Sequence, residues 1–450
     1  MTSICAGRQE AWGRTRRTGA RLKKWLRLPI HTMDVFLRSH VQQRIIALTF
    51  LGLCTIRTGQ AQEFKLWNRT VQVHGFFSQG YVKTDANNWL SMDSSQGGGA
   101  MTDMGLNISS QVTDRFRVGA QVYDRNVGQL GQWHPSLDWA VADYRLTNWF
   151  GVRAGKVKTT LGLYNDSQDL DFLHVFALLP QSVYPTDLRE TTIAHIGGDL
   201  YGNLPLRGRL GDVSYTAYAG HRSDSVYSGY PYLLLQWGTH LRSLGGLQYG
   251  ADLRWNAPLR GLVVGISRMN EDITGRGTFV AFWDPAAGVV PYFESSSADW
   301  TNQYYAQFNV KRFCMDYEYR RYLRNQVILN GTSRNITDVR GWYVAGTYRL
   351  TKKLKIGSYY SHYAVSDAYG GLVLALGQND MDTSLERNHT YDKVVTARLD
   401  FNRFWHVKLE GHFMDGYANG GYPAGFYPRN NPQGFAPQTN ALVVKTGFNF

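Results

Sequence analysis

The body of the chain consists of segments of about ten residues in which apolar and polar side chains alternate. Segment 312–320 carries apolar and aromatic side chains on one face and charges on the other: Phe313, Met315, Tyr317 and Tyr319 against Arg312, Asp316, Glu318 and Arg320. Successive side chains of a strand point to opposite faces, so these charges require water on one side of the strand. The pattern predicts strands with unlike faces.

The same reading along the chain predicts sixteen strands. Their predicted ranges are 70–82, 102–113, 115–124, 138–147, 149–158, 192–201, 210–220, 247–256, 260–269, 301–310, 312–322, 339–350, 354–365, 391–401, 404–415 and 440–450. Short and long connections alternate strictly between them, which is typical of an all-β, transmembrane antiparallel β-barrel with short periplasmic turns at one end and long extracellular loops at the other. A soluble β-sandwich is the alternative, but tryptophans near strand ends favour the barrel.

The N-terminal 61 residues read as a leader. An apolar stretch at 45–56 follows Arg38 and Arg44 and precedes Gly59-Gln60-Ala61, an order typical of a secretory signal peptide cleaved near Ala61. A start at Met33 gives a leader of ordinary length. A membrane anchor is the alternative, and residues 62–450 are predicted to form a single barrel domain.

The net charge of +13 lies mostly in this leader. Residues 1–61 hold eleven Lys or Arg against two acids, which is +9, and the remainder holds 37 basic against 33 acidic residues, which is +4. A nucleic-acid partner is therefore not expected. Beyond the leader only Cys314 remains, so no intramolecular disulfide is expected there.

The last strand carries a recognisable terminal pattern. Apolar residues occupy every second position and the chain stops on an aromatic residue: Leu442, Val444, Phe448 and Phe450. This resembles the signal that the barrel-assembly machinery reads in Gram-negative outer-membrane proteins. The segments 71–82, 150–172, 178–185 and 197–204 resemble Gram-negative porins related to the phosphate-selective porin O/P group.

The resemblance implies a location in the outer-membrane lipid, an inward-folded loop at 159–191 that constricts the pore, and a homotrimer as an open possibility. Charges in and beside that loop are candidates for a polar constriction: Arg153, Lys156, Lys158, Asp166, Asp169, Asp171, Asp187, Arg189 and Glu190. The alternative is that they are surface-loop charges. The alternation of the strands also predicts charged side chains of both signs that point into the lumen: Arg115, Arg117, Asp252, Arg254, Asp316, Glu318, Arg320, Arg398, Asp400, Lys408 and Glu410. The alternative role for these residues is to form ion pairs that brace the barrel wall.

Together these patterns predict a porin for passive diffusion of small hydrophilic solutes or ions, with no cofactor, no metal and no enzymatic activity. No histidine spacing is typical of a metal site, and no Gly-x-Ser-x-Gly motif is present. An outer-membrane barrel enzyme of the lipid hydrolase type and a non-conducting structural or adhesive barrel stay open as alternatives.

Overall fold

The computed structural model describes residues 62–66, 69–280, 286, 288–369, 382–419 and 425–450. The predicted leader 1–61, with its start at Met33 and its cleavage near Ala61, lies outside the described residues. Within the described ranges, no helix combines the length and the hydropathy needed to cross a bilayer.

Most of the described chain is strand. The strands are β1 (Gln62–Leu66), β2 (Arg69–Thr84), β3 (Gly98–Thr113), β4 (Phe116–Val127), β5 (Ser136–Thr147), β6 (Phe150–Lys158), β7 (Ala194–Pro205), β8 (Asp212–Ser223), β9 (Thr239–Asn256), β10 (Leu262–Val280), β11 (Val289–Val310), β12 (Phe313–Ile328), β13 (Ser333–Arg349), β14 (Leu354–Tyr369), β15 (His389–Asp400), β16 (Trp405–Asp415) and β17 (Gln438–Asn449). One short helix, α1 (Gly229–Leu235), lies between β8 and β9.

The strands β2 to β17 close into a barrel. Each pairs antiparallel with the next along the chain, and β17 pairs with β2 in the register Ala441↔Thr84 to Asn449↔Phe76. Closure leaves these sixteen strands without a free edge. The predicted all-β antiparallel barrel of sixteen strands is confirmed.

Strand β1 was not predicted. It pairs with the beginning of β2, from Gln62↔Val73 to Leu66↔Arg69, on the same edge of β2 that β17 uses further along. Between the two contacts, Phe450 and Gly75 exchange backbone hydrogen bonds of 2.9 and 3.2 Å. A Cβ at position 75 would lie 2.5 Å from the Phe450 ring, so glycine is required where the barrel closes.

The two faces of the barrel differ as the alternation predicts. Large apolar side chains are exposed on the outward face: Leu106, Ile266, Val344, Leu409, Phe413, Leu442, Val444 and Phe448 are among them. Polar and charged side chains of the same strands are buried inside: Gln248, Ser267, Thr301, Gln303, Glu318, Lys408 and Glu410 are examples. The core therefore lies within the barrel and is largely polar.

Several strands are longer than predicted, and some predicted loops are wrong. Strand β11 begins at Val289 rather than 301, and β10 continues to Val280, so most of the predicted loop 270–300 is sheet. The predicted loop 323–338 shrinks to the connection 329–332. Trp89, predicted near a strand end, is buried in the connection between β2 and β3, with its ring 5.0 Å from that of His412.

Candidate pore and its inward loop

The connection between β6 and β7, residues 159–193, folds into the barrel, and we call it the inward loop. Its first residues reach β10, four strands further along the barrel wall from β6, where the Gly162 amide donates to Ser267 Oγ at 2.9 Å. Gly162 has a φ of +66°, and a Cβ there would lie 1.9 Å from Gln303 Nε2. Glycine is thus required both by the backbone conformation and by the close approach to the wall.

On one side the inward loop is held by a buried carboxylate on β12. Glu318 accepts hydrogen bonds from the Tyr184 hydroxyl at 2.7 and 2.8 Å, the Tyr343 hydroxyl at 2.6 Å, the Gln303 side-chain amide at 2.7 Å and the Leu163 backbone amide at 3.0 Å. Tyr184 and Leu163 belong to the loop, whereas Tyr343 and Gln303 belong to the wall. We call Glu318, Gln303, Tyr184 and Tyr343 the tyrosine anchor.

On the other side the loop is held by charged side chains. Lys408 on β16 is fully buried, and its ammonium donates to Asp171 Oδ1 at 2.8 Å and to the Phe176 carbonyl at 2.9 Å. Lys445 Nζ and His406 Nε2 lie 3.1 and 2.8 Å from the Asp171 carboxylate. Burial alone would raise the pKa of Asp171, but Lys408, Lys445 and His406 together hold it well below its usual value. We call Asp171, His406, Lys408 and Lys445 the lysine anchor.

Other wall charges hold the loop backbone. Glu410 accepts the backbone amides of Ala177 and Leu178 at 2.8 and 3.1 Å. Arg398 donates to the carbonyls of Phe172 and His174 at 2.7 and 2.6 Å, and Arg320 donates to the Val183 carbonyl at 2.9 Å. Buried backbone groups need partners, so these charges fix the path of the loop.

The loop's own charges pair with one another and with β4 and β5. Lys158 Nζ lies 2.6 Å from Asp169 Oδ1, and Arg189 lies 2.7 Å from Asp138 Oδ1. Burial opposes ionisation of Asp169, but Lys158 and Arg189 lower its pKa below the usual value. Glu190 pairs with Arg125 at 2.8 Å. Acids and bases of the predicted polar constriction are therefore in direct contact, rather than facing one another across an open water path.

Three further loop or wall charges were predicted to face the constriction. Asp187 is fully buried and accepts the Tyr427 hydroxyl at 2.7 Å, and burial raises its pKa to about 6. Asp166 is exposed. Arg153 lies 3.4 Å from Asp143 and 3.8 Å from Asp199 on the neighbouring strands, so it braces the wall.

Three further predicted residues lie on β6 and at the turn between β3 and β4. Lys156 is in register with Ala140 and with Ile196, whose side chain is 55% exposed on the outward face, and its ammonium donates to the Leu137 carbonyl at 2.6 Å. Arg115 lies in the two-residue turn between β3 and β4 and is exposed. Arg117 is on β4 close to the same turn and is exposed as well.

The remaining predicted inward charges lie inside with close partners. Asp252 accepts from Ser267 at 2.6 Å and Tyr305 at 2.8 Å. Asp316 accepts the Tyr164 hydroxyl at 2.7 Å, Arg254 donates to the Gly162 carbonyl at 3.1 Å, and Asp400 pairs with Lys355 at 2.9 Å.

The inward loop leaves narrow spaces on both of its sides. One cavity of about 30 Å³ lies towards β8, β10 and β12, with Arg222, Glu271 and Arg320 in its lining. Another of about 50 Å³ lies towards β3, β4 and β17, with Asp103 and Arg125 in its lining. Each has room for a few water molecules. Arg125, Arg222 and Glu271 were not predicted; Arg125 and Glu271 lie just beyond predicted strand ends.

No group that could hold a metal ion, meaning three or more His, Cys, Asp or Glu side chains brought together, is found in the described ranges. The interior instead offers hydroxyl, amide, carboxylate and guanidinium groups, most of them engaged with the loop. Chemically, the arrangement can solvate and sort small polar species.

Comparison with known proteins identifies structural neighbours but no sequence family. No protein-family model and no curated protein matches the chain. The structure is similar to in-vitro folded OmpT, an outer membrane protein of Vibrio cholerae, with a TM-score of 0.52 and 11% identity over 87% of this chain and 100% of that chain. It is also similar to the outer membrane channel DcaP of Acinetobacter baumannii, with a TM-score of 0.50 and 12% identity over 86% and 99%. At such identities the likeness shows a shared barrel fold.

Proposed function

We propose that the chain is a porin of a Gram-negative outer membrane, through which small hydrophilic solutes or ions diffuse passively. The observation that carries the proposal is that the barrel wall is apolar on its outward face and polar on its inward face. Exposed apolar side chains such as Leu409 and Phe413 face outward, while Lys408 and Glu410 of the same strand face inward. A soluble protein would bury the apolar face, whereas a barrel in lipid exposes it.

The inward loop makes this a narrow channel. It contacts walls on both sides of the barrel, and the spaces beside it hold only a few waters each. Solutes would pass beside the loop, in contact with charged groups of both signs such as Arg222 and Glu271. The predicted constriction residues Lys158, Asp169 and Arg189 would act mainly by fixing the loop, because each is already paired.

That the chain belongs with the phosphate-selective porin O/P group is a finer proposal that rests on the sequence resemblance, and it does not extend to a preference for phosphate. The lumen charges are mixed in sign, and most are neutralised by a neighbour. A trimer is likewise proposed, with support from a trimer form among the OmpT structures of Vibrio cholerae. The terminal residues Leu442, Val444, Phe448 and Phe450 are proposed as the signal for the barrel-assembly machinery.

Recordings from the purified, refolded protein in planar lipid bilayers test the proposal. We expect discrete ion-current steps, and the reversal potential under a salt gradient gives the sign of the preferred ion. A non-conducting barrel is the second candidate, because the inward loop fills so much of the interior. A folded protein, shown to be heat-modifiable on gels, that carries no current would support that candidate and overturn the porin.

A further inference from the structure

Arginines form a row on the outward face of the barrel. Arg268 on β10 is in register with Asn302 on β11, Asn302 with Arg321 on β12, and Arg321 with Arg340 on β13. The side chains of Arg321 and Arg340 are 38% and 55% exposed. We call Arg268, Arg321 and Arg340 the arginine row.

The aromatic residues next to the arginine row show how far along the barrel axis the arginine row lies. One step towards the short-turn end, aromatic side chains follow one another across five strands: Tyr304, Tyr319, Trp342, His362 and Tyr391. Aromatic girdles mark the boundary between lipid tails and headgroups. Two residues along a strand span about 7 Å, so the arginine row lies at headgroup level on the long-loop side.

The row carries more positive charge than its acids neutralise. Arg321 makes a two-pronged contact with Asp338 at 3.0 and 2.9 Å, and Arg340 reaches the same carboxylate at 2.8 Å. Arg268 instead donates to the neutral Asn302 and Asn270 at 2.9 and 3.0 Å. Asp338 is therefore shared by two of the three guanidinium groups, and the arginine row together with Asp338 carries a net charge of +2.

The guanidinium groups are held in place rather than free to move. Arg268 and Arg321 lie over the ring of Trp300, with their Cζ atoms 4.9 and 5.4 Å from its centroid. Stacking and two-pronged pairing lower the entropy that a guanidinium loses when it binds a ligand. Exposed Arg276 and Arg334, further towards the long-loop end, add positive charge around the row.

We propose that the arginine row binds the phosphate groups of lipid A, the phosphorylated glycolipid anchor of the outer leaflet. Guanidinium forks match phosphate oxygens, and a phosphorylated lipid is the anion that this level of the membrane presents. The acyl chains of the same lipid would lie on the apolar and aromatic surface below the row. The inference rests on the outer-membrane placement proposed above and is independent of ion conduction.

Native mass spectrometry of the detergent-solubilised protein with bisphosphorylated lipid A tests the proposal. We expect stoichiometric binding that weakens at least tenfold in the triple variant R268Q/R321Q/R340Q. The triple lysine variant R268K/R321K/R340K keeps the positive charges but loses the two-pronged guanidinium geometry. Its affinity for lipid A should lie between those of the unaltered protein and the glutamine variant. A matched control, R260Q/R312Q/R349Q, removes three exposed arginines at or near the short-turn end and should bind as the unaltered protein does.

Two results would overturn the proposal: equal binding by the glutamine variant and the unaltered protein, or equal binding of lipid A with and without its phosphates. Displacement of lipid A by millimolar inorganic phosphate would assign the site to a free anion and also overturn it. Conductance of the same preparations separates the two hypotheses. If the protein binds lipid A but carries no current, the inference about lipid A holds and the proposed porin function is wrong. The folded glutamine variant should conduct as the unaltered protein does.

Discussion

The two anchors hold one loop to two walls by different chemistry. The lysine anchor buries Lys408 against Asp171, with Lys445 and His406 beside them. The tyrosine anchor surrounds Glu318 with hydroxyl and amide donors. Removal of one partner from a buried ion pair leaves a charge without compensation, whereas a carboxylate held by several neutral donors loses its bonds one at a time. The loop should therefore depend more on the lysine anchor.

The largest expected effect on stability comes from Lys408→Met. Methionine fills similar space but leaves Asp171 with less compensation, and we expect the free energy of unfolding to fall by about 3–5 kcal/mol. Equilibrium unfolding in urea with the protein in micelles measures it. Lys311→Met, at an exposed turn position between β11 and β12, is the matched control. A loss below about 1 kcal/mol would remove the distinction between the anchors.

A smaller effect is expected from Glu318→Gln. The amide keeps one accepting oxygen for Tyr184 or Tyr343 but turns an N–H group towards the other donors, so we expect a loss of about 1–3 kcal/mol. The same unfolding measurement applies, with Glu386→Gln at an exposed position as control. If Glu318→Gln destabilises the protein more than Lys408→Met does, the ranking of the anchors is wrong.

The smallest expected effect is a change in the free energy of unfolding with pH. It distinguishes the lysine anchor from Asp187, a buried acid that belongs to neither anchor. The depressed pKa of Asp171 means that the contribution of its carboxylate to the lysine anchor is fully present above pH 3.8 and is lost only as the pH falls below that value. The pKa of Asp187 is raised to about 6, so its protonated form favours the folded state and this contribution disappears as the pH rises through 6.

From pH 4 to 7 we expect the free energy of unfolding to fall by at most about 3 kcal/mol because of Asp187. Asp187→Asn should flatten this slope, while Asp93→Asn in an exposed turn should not change it. A slope that persists in Asp187→Asn would assign the pH dependence to another group.

The sequence predicts the direction of side chains on the barrel strands better than it predicts the contacts of the inward loop. Alternation is enough to predict that Lys408 and Glu410 point inward, because one face of each strand must be apolar where the other is polar. It cannot predict that the Tyr184 hydroxyl meets Glu318, since that contact depends on the path of a loop without periodicity. The resemblance to porins supplied the inward direction of that loop.

The unpredicted interior charges lie where the alternation ends. Arg125, Glu271 and Arg324 on β12 are all buried, and each is followed by a polar residue: Asn126, Asp272 and Asn325. Beyond the apolar belt a strand needs no apolar outer face, so the pattern disappears although the hydrogen-bonded ladder continues. Strand lengths and the loop lengths derived from them were therefore wrong at the long-loop end.

The most direct test of the central claim, that the inward loop narrows a water-filled pore, is the single-channel conductance after deletion of residues 166–189. The Asn165 side chain donates to the Thr192 carbonyl at 2.7 Å, so a short Gly-Ser link can join the ends of the deletion. We predict a conductance several-fold higher than that of the unaltered protein. Equal conductance from the two folded proteins would contradict the account.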